Sequence, residues 1–144
     1  MRLHLPKPGY NESDRAQGNF RLALKVSLCF VLLIWIVALL DWGLGLDLTR
    51  FGVRPGSLSG LPGVLVAPLL HGDFPHLISN SLPLLVLATG MLYLYPQSSF
   101  KVIPAVYLGP GFAVWLFGRP TLHIGASGLI YGLAMYILVS GVIR

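Results

Sequence analysis

Long apolar runs, separated by short segments rich in glycine, proline and charge, set the character of this chain. The first run covers residues 26–40, with Arg21 and Lys25 ahead of it and Asp41 behind. With the amphipathic stretch from Leu22 it reaches the roughly 20 residues a helix needs to cross a bilayer. It starts late and ends in Asp41-Trp42-Gly43 without a small-residue cleavage site, so it reads as a retained helix rather than a signal peptide. Residues 43–63, rich in Gly, Pro, Ser and Arg, read as a long loop at the membrane interface, where Trp42 is suited to sit. A second span begins at His76 and contains Pro83, a kink that neighbouring helices tolerate in lipid. Tyr95-Pro96-Gln97-Ser98-Ser99 reads as a turn before a third span, and Gly118-Arg119-Pro120 as a turn before a fourth that opens near Ser127. The expectation is an all-α integral membrane fold with spans at about 22–41, 76–95, 100–117 and 126–143. Residues 1–20 are expected to form a disordered cytoplasmic tail, and residues 21–144 a single membrane domain.

Composition agrees with this pattern. Of 144 residues, 55% are hydrophobic and only 10% charged, too few charges to coat a soluble domain. The net charge of +5 does not point to nucleic acid, because the basic residues sit at the ends of apolar runs and form no patch with interleaved aromatics. They orient the chain instead. Arg2, Lys7, Arg15, Arg21, Lys25, Lys101 and Arg144 fall on one side, and Arg50, Arg54 and Arg119 on the other. The richer side is cytoplasmic by the positive-inside rule, so the N-terminus is expected in the cytoplasm and the protein in a plasma (inner) membrane. Cys29 is the single cysteine, so no internal disulfide is possible.

Polar side chains at membrane depth are costly and therefore informative. His71 and His76 precede and open the second span, Asn80 follows one turn later, and Ser127 opens the fourth. Both even-numbered spans enter from the outer side, which brings His76, Asn80 and Ser127 to one depth. A serine at a helix N-terminus offers backbone N–H groups and the positive dipole end to a developing oxyanion, and an Asn amide and a His N–H add donors. Blander readings exist: Ser127 as a helix N-cap, Asn80 as an interhelical glue residue, the histidines as interface residues. No HExxH pattern is present, and Asp73 is the single acid near the histidine pair, so neither a metal nor a cofactor is expected.

Gly125-Ala126-Ser127-Gly128 resembles the GxSG motif of rhomboid intramembrane serine proteases, and His71-x4-His76-x3-Asn80 resembles that family's HxxxxHxxxN motif. The resemblance implies a rhomboid-like helical bundle, with four transmembrane helices present out of a six-helix core. It implies Ser127 as nucleophile, His76 and Asn80 as oxyanion donors, and Gly125 as the residue shaping the oxyanion loop. Tyr131 matches an aromatic that stacks on the catalytic histidine, and His71 a supporting motif residue. Implied substrates are transmembrane segments of other membrane proteins, cleaved by a Ser–His dyad without cofactor. The dyad histidine of the family lies on its sixth core helix, and no residue here matches it. His123 lies four residues before Ser127, but Gly125 between them suggests a turn. The chain thus reads as cut off, and by itself as inactive. The small-residue pair Gly128 and Gly132 is expected to offer a docking face for a partner helix. The alternative function is an inactive rhomboid-like protein that binds transmembrane segments.

Overall fold

The computed structural model describes residues 12–143; the expectations for residues 1–11 and for Arg144 lie outside it. Every regular element among the described residues is helical. Helix α1 (Glu12–Leu44) is followed by α2 (Leu61–Val66), α3 (Phe74–Leu94), α4 (Pro96–Phe117) and α5 (Ser127–Ile143). At 33 residues α1 is about 50 Å long, and it begins well before residue 22. Residues 12–20, read as part of an irregular tail, are therefore helical. Glu12 and Asp14 lie in the first turn, where negative charge meets the positive end of the dipole.

One stripe of α1 is buried: Ala23, Ser27, Val31, Ile34, Ala38 and Asp41, at steps of three and four residues. That stripe packs on α3, which runs antiparallel to it. Trp35 meets Phe74 edge to face at 5.7 Å and donates its indole N–H to the Ser81 hydroxyl at 2.9 Å, while Phe20 meets Tyr93 at the far end. Helix α3 is the centre of the bundle. Leu77, Leu84 and Met91 are almost wholly buried between α1 and α5, together with Ala126, Leu129 and Leu133. Pro83 does not interrupt α3, and Pro104 and Pro110 do not interrupt α4.

The outward faces carry Leu, Ile, Val and Phe side chains, among them Leu22, Leu32, Ile36, Leu82, Val86 and Leu116. Such a surface suits hydrocarbon rather than water. Helices α1, α3 and α4 are each long and apolar enough to cross a membrane. Helix α5 is equally apolar but has 17 residues, shorter than the other three.

Two connections differ from expectation. The turn foreseen over residues 95–99 shrinks to Tyr95, because Pro96 starts α4, where its missing N–H costs nothing. The Ser99 hydroxyl donates to the Pro96 carbonyl at 2.7 Å within that first turn. The long loop after α1 is built of short helical turns, Leu48–Phe51, Leu58–Gly60, α2 and Ala67–Leu69. Its entry is fixed by buried Asp41, whose Oδ1 accepts from the Leu48 N–H at 2.8 Å. Its body leans on α4, with the Trp115 indole donating to the Ser57 carbonyl and the Tyr107 hydroxyl to that of Leu65.

Candidate active site

The segment before α5 is held from three directions. Val53 and His123 exchange backbone hydrogen bonds of 2.9 and 3.0 Å, tying the loop after α1 to the loop before α5. The Gly125 N–H donates to the Ala67 carbonyl at 2.8 Å. Gly125 has φ +103°, a conformation open to glycine and strained for other residues. The chain can then turn and start α5 at Ser127.

The first bond inside that helix runs from the Ile130 N–H to the Ala126 carbonyl at 3.0 Å. The N–H groups of residues 127–129 stand outside the helical ladder, at the positive end of the dipole. Ser127 is half-buried, and among the described residues nothing hydrogen-bonds its hydroxyl. The N-cap explanation for this serine is therefore not the one in use. Ser127 borders an open cleft of about 200 Å³ that is also lined by Val53, Ala67, Tyr107, Gly125 and Tyr131.

Asp73-Phe74-Pro75 starts α3 and aims the histidine motif. Asp73 is the N-cap, its Oδ1 accepting the His76 N–H at 2.7 Å, and Pro75 sits in the first turn. His76 is thereby fixed at the third helical position, with its ring against the Gly125 backbone: a β-carbon on Gly125 would lie 2.5 Å from His76 Nε2 and 3.5 Å from Asn80 Nδ2. Both polar groups meet the backbone two residues ahead of Ser127. Asn80 is buried and lies 3.0 Å, Nδ2 to Nε2, from the fully buried His71. The His71 and His76 rings are 4.9 Å apart. Burial first, and then the neighbouring His76, lower the His71 pKa to about 4, against smaller opposing effects of the Leu69 backbone and Asp73. At neutral pH His71 is uncharged.

Other expected residues fall elsewhere. His123 turns back on its own loop, with Nε2 within 3.1 Å of the Arg119 carbonyl and 3.2 Å of the Thr121 hydroxyl. The turn read from Gly125 is present, so His123 and Ser127 do not share a helical face. Tyr131 is 75% exposed, with no ring partner among the described residues. The docking face expected at Gly128 and Gly132 is already filled by α4. β-Carbons there would come within 2.7 Å of Pro110 and 2.6 Å of Val106, so these glycines serve contact within the chain. The outward stripe of α5 is instead Tyr131, Met135, Leu138 and Val142.

Three supports were missed in the sequence: the Val53–His123 bridge, the Ala67 carbonyl and the Asp73 cap. The last had a local signal, an Asp followed by Pro at the head of an apolar run. The first two join segments far apart in sequence and left none.

The Rhomboid domain family model matches residues 59–144, more than half of the chain, a stretch that includes His71, His76, Asn80, Gly125 and Ser127. An uncharacterized protein of Mycobacterium tuberculosis is 42% identical over 121 residues, covering 79% of this chain and 50% of the relative. One from Mycobacterium leprae is 35% identical over 150 aligned residues, covering 96% of this chain and 59% of the relative. The chain thus spans about half the length of the curated relatives it matches. No solved structure matches it significantly.

Proposed function

The chain belongs to the rhomboid family, and on that premise we propose that it carries the nucleophile and oxyanion side of an intramembrane serine endopeptidase. Its substrates are transmembrane segments of other membrane proteins. Four spans, α1, α3, α4 and α5, cross a plasma (inner) membrane with the N-terminus in the cytoplasm, so the site opens near the outer face. The observation that carries this reading is the convergence of His76, Asn80 and the helix N-terminus on the Gly125 backbone beside an unbonded Ser127 hydroxyl.

In the reaction the Ser127 oxygen attacks a substrate carbonyl, and the charge that develops on its oxygen is met by donors. The Ser127 N–H, a His76 ring N–H and the Asn80 amide supply them. Their positions are fixed before substrate arrives, by the Asp73 cap and the glycine turn, so little reorganisation is needed in the transition state. The serine needs a base to take its proton. His71 is buried against Asn80, His76 faces Gly125, and His123 is engaged by its own loop, so the base is a histidine supplied from outside the described residues. No metal or cofactor enters the scheme.

The unbonded hydroxyl also suits the second reading, an inactive rhomboid-like protein that binds transmembrane segments. Cleavage decides between them. With the complete protein reconstituted in vesicles, a transmembrane reporter should be cut, and Ser127→Ala should abolish the cut. Asn80→Ala should lower kcat by about a hundredfold or more, the effect typical of a lost oxyanion donor. Cleavage that survives Ser127→Ala overturns Ser127 as the nucleophile, and binding without cleavage favours the second reading.

A further inference from the structure

His71 makes no contact with the Gly125 turn in the scheme above, yet it is 1% exposed and bonded to a residue that does. An Asn side chain has two ends of opposite character. The Nδ2 end donates and would stabilise an oxyanion; the Oδ1 end accepts and would repel one. Which end faces the turn ahead of Ser127 therefore decides whether Asn80 helps or hinders. On the reading of Asn80 as an oxyanion donor, something must hold its amide one way round.

The contact with His71 can do this. Nδ2 lies 3.0 Å from His71 Nε2 and also borders Gly125. If Nε2 carries no proton, it accepts from Nδ2, and that nitrogen stays on the Gly125 side with a second N–H free. If Nε2 carries a proton, it calls for Oδ1 instead, and the amide turns over to present its oxygen to the site. We infer that His71 is a positioning residue, whose unprotonated Nε2 accepts a hydrogen bond from Asn80 and so fixes the amide with its donor end toward the turn ahead of Ser127.

The charge state is compatible with this. A neutral imidazole keeps one N–H, and burial together with His76 favours the neutral form. That proton then belongs on Nδ1. Nδ1 is buried with no hydrogen-bond partner among the described residues, so its N–H goes unmatched there, and the tautomer is carried by the contact of Asn80 Nδ2 with Nε2. A proton on Nδ1 leaves Nε2 bare. The titratable groups facing His71 are His76 and Asp73, and both lie at the start of the same helix as Asn80.

Nitrogen-15 NMR of the histidine-labelled chain in micelles at neutral pH tests the inference without requiring activity. The His71 signals, assigned by their loss in His71→Gln, should report a protonated Nδ1 and a bare Nε2. In Asn80→Asp the carboxylate can only accept, and the proton should move to Nε2. A wild-type His71 protonated at Nε2, or one unchanged by Asn80→Asp, overturns the inference. In the complete, active protein His71→Phe, which keeps the ring but not the acceptor, should lower kcat about tenfold, the loss of roughly one hydrogen bond, with KM unchanged. His71→Gln, which can place an oxygen near the Nε2 position, should recover most of that loss. In an Asn80→Ala background His71→Phe should cost nothing more, and an equal further loss there would show a role in packing alone and overturn the inference. Absence of Ser127-dependent cleavage would refute the proposed activity and leave the NMR result to judge His71.

Discussion

The His76 imidazole occupies the space in which a side chain at Gly125 would begin, Nε2 lying 2.5 Å from the position of a β-carbon. Two motifs 49 positions apart in the sequence thus meet at a single backbone atom, and the glycine is required twice. Its φ of +103° disfavours any other residue, and its missing side chain makes room for the histidine. Gly125→Ala should therefore cost about 1–3 kcal/mol in strain and push His76 away from the turn. Thermal unfolding in detergent reads the first effect and loss of serine reactivity the second. A variant with unchanged stability and reactivity would contradict the placement of His76.

Asp73 holds that histidine through its backbone. Asp73→Ala removes the acceptor of the His76 N–H and should cost about 1 kcal/mol, as lost N-caps do. Asp73→Asn or Asp73→Ser should recover most of it. The unfolding midpoint of the three variants is the measurement.

Helices α4 and α5 touch through glycine. Gly132→Leu should force Val106 aside and destabilise the bundle by about 1–3 kcal/mol. If that face were open for a partner helix, the same substitution would leave the stability of the isolated chain unchanged.

Protonation of His71 gives a pH dependence with a definite sign. Its folded pKa is about 4 against an ordinary 6.5, so between these values the unfolded chain binds a proton that the folded chain refuses. Its contribution to stability is fully present above pH 6.5 and is lost as pH falls toward 4. Unfolding measured across that window should slope less steeply in His71→Gln than in the wild type. Equal slopes would show that His71 takes no part.

How much of this was legible in the sequence follows from range. His76, Asn80 and Ser127 could be set at one depth because apolar runs fix the spans and polar residues within them are few. The GxSG and HxxxxHxxxN patterns are local and survive reading without a structure. The destination of Gly128 and Gly132 was not legible, since a small-residue face announces close contact without naming the helix that makes it. Pro96 was read as a turn because proline ends helices as readily as it starts them. Residues 12–20 carry too few apolar positions to signal a helix, and they extend one already formed by the span behind them.

The central claim is that Ser127 is a nucleophile waiting for a base from outside the described residues. Labelling with a fluorophosphonate probe tests it most directly. The complete protein should be labelled at Ser127 and lose the label in Ser127→Ala, and residues 12–143 expressed by themselves should show no labelling above background. A label that survives Ser127→Ala would contradict the nucleophile, and strong labelling of residues 12–143 alone would contradict a base from outside them.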